Sequence, residues 1–99
     1  APYRIGVDEE PAFPFGLTAV APNPFNPSTT ISFSLDHPGR TRVSIFNTGG
    51  QLVETILNDT LDSGTHSLVW NADGQASGVY FVKLDADKKT DVRKMLLIK

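Results

Sequence analysis

From Leu17 onward, apolar residues recur at every second position rather than every third or fourth. Ile31, Phe33 and Leu35 alternate with Thr30, Ser32 and Ser34. Val43 and Ile45 alternate with Arg42 and Ser44, and His66, Leu68 and Trp70 with Thr65, Ser67 and Val69. A period of two sends neighbouring side chains to opposite faces, so these are strands with one face buried and one wet. Turn formers punctuate them at Asp36-His37-Pro38-Gly39, Thr48-Gly49-Gly50, Asp62-Ser63-Gly64, Asp73-Gly74 and Asp85-Ala86-Asp87-Lys88. The pattern predicts seven strands, roughly 17–21, 29–35, 41–47, 52–57, 64–70, 78–85 and 90–98. Residues 52–57 also suit one helical turn, but β-branched Val53, Thr55 and Ile56, followed by Asn58-Asp59, favour a strand. Short strands at this spacing predict an all-β fold, a seven-stranded immunoglobulin-like antiparallel β-sandwich over residues 17–99.

Residues 1–16 break the pattern. They hold three prolines, two glycines and the acidic run Asp8-Glu9-Glu10, which reads as a proline-rich linker. Phe13, Phe15 or Leu17 could dock on the edge of the domain. The chain opens on Ala1 with no signal-peptide pattern, so the expectation is the tail of a longer protein.

Composition narrows the function classes. Ninety-nine residues with 39% hydrophobic content support one modest core, and no two-lobed cleft. Nine basic and eleven acidic residues, net −2, argue against a nucleic-acid module and supply no polybasic patch for anionic lipid. There is no cysteine, which removes disulfides, thiolate metal sites and cysteine nucleophiles. No apolar run is long enough to span a bilayer, and a monomer is expected.

No residue set carries catalysis. Ser67, His66 and Asp62 make a triad on paper, but neighbouring strand residues point to opposite faces. His37 belongs to a solvated turn, and His66 to the Leu68/Trp70 face as a core or edge residue. Asp59, Asp62, Asp73, Asp85, Asp87 and Asp91 are expected at turns or strand ends, without calcium-loop spacing or a cleft for paired-carboxylate chemistry. No metal or cofactor is expected. Trp70, Tyr80, Phe81 and Phe46 invite a sugar platform, although Trp70 shares the parity of Leu68 and is expected in the core. Asn58-Asp59-Thr60 matches a three-residue N-glycosylation acceptor pattern, and Asp59-Thr60-Leu61 resembles a short O-glycosylation motif of Bacteroidetes.

Two segments stand out. Pro22-Asn23-Pro24-Phe25-Asn26-Pro27 is stiffened by three prolines, with Asn23 and Asn26 free to bond nearby backbone and Phe25 as the anchor closing one end of the core. The run Arg93-Lys94-Met95-Leu96-Leu97-Ile98-Lys99 is apolar between basic residues. It reads as a strand buried on both faces, as a segment recognised by another protein through strand addition, or as an ordinary strand with charged gatekeepers.

These segments, in order, resemble the type A C-terminal sorting domain of the type IX secretion system. Pro22-Asn23-Pro24-Phe25 looks like that family's opening motif. Val43–Asn47 with Gly50–Val53 looks like its central hairpin, and Gly64–Trp70 like its fifth strand. Ser77-Gly78-Val79-Tyr80-Phe81-Val82-Lys83-Leu84 and the Lys94–Lys99 end complete the pattern. A related immunoglobulin-like domain of flagellar hook-capping proteins shares the hairpin and the Gly-Val-Tyr strand. The resemblance implies a sorting signal, not an enzyme. It would send an N-terminally attached cargo across the outer membrane of a Gram-negative bacterium, to be secreted or held at the cell surface. It implies the secretion machinery as partner and a sortase-like peptidase that removes the domain in many members. The candidate recognition residues are Pro22, Asn23, Pro24, Phe25, Gly78, Tyr80, Lys94, Met95, Leu96, Leu97, Ile98 and Lys99. The alternative is an accessory carbohydrate-binding or cell-attachment module of a secreted enzyme.

Overall fold

The computed structural model describes residues 13–99. Residues 1–12, most of the expected linker, lie outside the described residues. Seven strands follow one another: β1 (Gly16–Ala21), β2 (Ser28–Leu35), β3 (Gly39–Asn47), β4 (Leu52–Leu61), β5 (Gly64–Asn71), β6 (Gly78–Ala86) and β7 (Lys89–Leu97). They form two antiparallel sheets, ordered β1-β2-β5 and β4-β3-β6-β7. The alternation expected from the sequence is what packs them. Ile31, Phe33, Leu35 and Trp70 from one sheet meet Val43, Ile45, Val82, Leu84 and Met95 from the other, all buried.

Two details depart from the sequence reading. The fourth strand runs to Leu61, because Asn58, Asp59 and Thr60 pair with Arg42, Thr41 and Arg40 and the ladder overrides their turn preference. Asp59 therefore sits inside a strand rather than at its end. The seven-stranded immunoglobulin-like sandwich expected from the sequence is present, with the fourth strand beside the third rather than beside the fifth as in a constant-type domain. Here Asn47 closes a tight hairpin that keeps β4 beside β3: its Oδ1 accepts from the Gly49 and Gln51 amides at 3.0 Å each.

The lead-in touches the domain at the far end of the sandwich. Leu17 is core, Phe15 packs against the core, and Phe13 is exposed. Lys89 lies 5.7 Å from the Phe15 ring centroid and is ion-paired with Asp36. The Lys89 hydrogen bond, aided by His37, holds the Asp36 carboxyl below its ordinary value of 3.8. A lowered folded-state value means the pair stabilises the fold above pH 3.8 and is lost as pH falls through the lower value. Lys89→Met should therefore lower the urea midpoint at neutral pH, and the gap from wild type should close in strong acid. An equal gap at both pH values would show that Lys89 acts by packing on Phe15 instead.

Candidate functional site

At the opposite end, the structure joins the two segments that stood out in the sequence. The turn between β1 and β2 lies along the outer edge of β7. Phe25 N–H donates to Leu96 O at 2.9 Å, and Ile98 N–H donates to Phe25 O at 3.0 Å, making a parallel bridge between Phe25 and Leu97. Asn23 extends the same edge with its side-chain amide. Its Oδ1 accepts from Leu96 N–H at 3.0 Å and its Nδ2 donates to Lys94 O at 3.1 Å. An amide carries donor and acceptor side by side, so one asparagine can satisfy both groups of an exposed strand edge. Asn23 was expected to bond nearby backbone; its partners instead lie more than seventy residues away.

Further bonds fix the turn. Thr29 Oγ1 donates to Pro22 O at 2.8 Å, and Ala72 N–H donates to Pro27 O at 2.9 Å. The peptide bonds preceding Pro22, Pro24 and Pro27 are cis. Beneath the turn, Phe25 is 2% exposed and its ring centroid lies 5.7 Å from that of Trp70. Trp70 meets Tyr80 edge-on at 5.5 Å, and Tyr80 Oη donates to Ala76 O at 2.6 Å. These tilted and edge-on contacts suit aromatic quadrupoles and bury the polar tip of Tyr80 with a partner. Phe25 is thus the anchor the sequence pointed to.

The terminal residues 94–99 divide by exposure. Met95 and Leu97 are buried, whereas Lys94, Leu96, Ile98 and Lys99 are exposed, so the run alternates and is not buried on both faces. Tyr80 pairs with Met95 and Gly78 with Leu97 across β6–β7. Gly78 opens β6 at φ +151°, a backbone conformation that side chains with a Cβ rarely adopt. All twelve candidate residues therefore come from one end of the domain. Of these, Phe25, Tyr80, Met95 and Leu97 are internal and can act only by shaping the surface, while Pro22, Asn23, Pro24, Lys94, Leu96, Ile98 and Lys99 are open to a partner.

Sequence reasoning missed a second clip on the same strand. Asp91 Oδ2 accepts from Leu17 N–H at 2.8 Å, and Arg93 donates to Leu17 O at 2.9 Å. Gly16 makes room for it, since a Cβ there would lie 3.0 Å from Asp91 Oδ2, at φ +145°. No local signal marks this contact, because Asp91 reads as one more strand-end acid. The edge of β7 is consequently tied to β1 by side chains at one end and to the Pro22–Phe25 turn at the other.

Other candidate chemistry is not assembled. His66 faces inward against Phe33, at 5.4 Å between centroids, and bonds Asp62 O rather than a serine. No metal-ligating cluster occurs among the described residues. Trp70 and Tyr80, the stronger half of a sugar platform, are internal. No helix is long and apolar enough to cross a membrane among the described residues.

Comparison with known proteins gives the family. The family described as the secretion system C-terminal sorting domain matches residues 19–99, from β1 through the last residue. The chain belongs to that family. Its function is that of a sorting signal of the type IX secretion system, and the family is not a catalytic one. The sorting domain is also similar to a solved structure of PorZ, described as an essential bacterial surface component of the type-IX secretion system of Porphyromonas gingivalis. That likeness has 28% identity and a TM-score of 0.58, and covers 82% of this chain but 11% of PorZ. No curated protein matches the chain.

Proposed function

We propose that the type IX machinery reads this sorting domain at the junction of the Pro22–Phe25 turn with β7, on behalf of a cargo joined on its N-terminal side. The carrying observation is the direct bonding of Asn23 and Phe25 to residues 94–98. It makes one pre-ordered surface from two distant segments, and a pre-ordered surface binds with little ordering cost. Because Lys94 O, Leu96 N–H and O and Ile98 N–H already have partners, recognition there works through exposed side chains. Strand addition at these residues would first have to displace Asn23 and Phe25. The cargo is delivered outside the cell or to its surface, and the proline-rich lead-in is the segment a sortase-like peptidase would cut.

Transplantation tests this. Residues 1–99 are fused after a periplasmic reporter in a host with a working type IX system, with and without residues 94–99. Surface reporter is expected only with the intact end. Periplasmic retention in both cases would remove the sorting role. Because the truncation also deletes core residues Met95 and Leu97, Ile98→Ser with Lys99→Ser serves as the variant that spares the core.

A further inference from the structure

The outer faces of the two sheets differ in kind. On the three-stranded sheet the outward positions of β2 and β5 open to water are Thr30, Ser32, Thr65 and Ser67, with one aliphatic residue, Val69, while Ser34 in the same row is buried. On the four-stranded sheet, cross-strand pairing sets Phe46 beside Phe81 and Val79 beside Leu96, with Val92 next to Lys83. Leu96 is 37% exposed and Val92 50%, while Phe46, Phe81 and Val79 remain partly open. A sheet face turned to water is ordinarily polar, as the other sheet is, so an apolar strip across three strands marks a contact surface.

Charge indicates what covers it. Lys94 pairs directly with Phe81 across β6–β7, and Lys83 Nζ lies 5.9 Å from the Phe46 ring centroid. Asp85 reaches Lys83 only at 4.0 Å from two rows further along, and the paired rows of β3, β6 and β7 from Lys83 to Leu96 hold no carboxylate side chain. We infer that this face docks a protein whose own apolar contact residues are rimmed by aspartate or glutamate. Resting on the sorting reading, that partner is a component of the export machinery. A second copy fits poorly, because a two-fold contact would bring the same cationic strip against itself with no acid to meet it. Two lysines also supply only about 2 kcal/mol toward an anionic lipid surface, too little for stable attachment.

The test compares surface display of a reporter carrying the 99-residue chain in a type IX host. Phe81→Lys and Leu96→Lys are expected to lower display about tenfold or more, as burying an unpaired charge in an apolar contact would. Lys94→Glu, at an exposed position, should lower it as well, and Ser32→Lys on the polar face should leave it unchanged. Wild-type display by Phe81→Lys, the strip variant outside the turn–β7 junction, would overturn the docking face while leaving the sorting role intact. Periplasmic retention of the wild type would overturn both. Sedimentation of the purified chain as a dimer that Phe81→Lys dissociates, or flotation with phosphatidylglycerol vesicles that Lys94→Glu abolishes, would overturn it in favour of a second copy or a membrane.

Discussion

Trp70→Ala should destabilise the domain by about 3–5 kcal/mol, the usual cost of removing a fully buried large aromatic. Trp70 is 1% exposed and stands between Phe25 and Tyr80, so the cavity would open directly beneath the Pro22–Phe25 turn. Total stability of a domain this size is about 5–15 kcal/mol, so the variant would sit near the edge of folding. Trp70→Phe separates two contributions. It keeps most of the buried ring and loses the Nε1 hydrogen bond to Glu54, 3.1 Å long and partly buried, which is expected to cost about 1 kcal/mol beyond the ring-size effect. Urea denaturation of the three proteins checks this. A midpoint for Trp70→Ala close to wild type would mean that the two sheets can close over the gap, and that the aromatic column does not support the turn.

Much of the fold could be read from residue period alone. Wherever one face is buried and the other wet, parity decides which side chains meet, and Trp70 falls where that logic puts it. It also assigned β2, β3 and β5 their inward residues. The limits of the reading have a common cause. Asn58-Asp59-Thr60 looks like a turn locally and becomes strand only because β3 offers a ladder beside it. The Asn23 clip and the Asp91–Leu17 bond join residues separated by more than seventy positions, through side-chain-to-backbone contacts that carry no periodicity. The run 93–99 shows the same limit. Its apolar string could not say which neighbours were inside, because Leu96 and Leu97 are chemically alike and only the register with β6 tells them apart. The candidate residues were legible as two motifs. That the motifs form one edge was not.

Phe25→Ala and Asn23→Ala should part the packing of that edge from its hydrogen bonding. Phe25→Ala removes a buried ring and is expected to cost about 3–5 kcal/mol, melting the turn and lowering export of an attached reporter together. Asn23 is exposed, so Asn23→Ala should cost only about 1 kcal/mol. Its effect should be local: with Leu96 N–H and Lys94 O released, hydrogen exchange at the Leu96 amide should accelerate while the Ile45 and Val82 amides of the central strands keep their protection. Asn23→Asp adds a sharper contrast. A carboxylate can still accept from Leu96 N–H but has nothing to donate to Lys94 O, so it should restore protection at Leu96. If the machinery reads the closed edge, export should follow Leu96 protection across the Asn23 series rather than global stability. Unchanged exchange at Leu96 in Asn23→Ala would show that the Phe25 bridge alone holds the edge. Export that rises as Leu96 loses protection would show that the machinery takes the strand in its opened form, by pairing with the backbone that Asn23 covers.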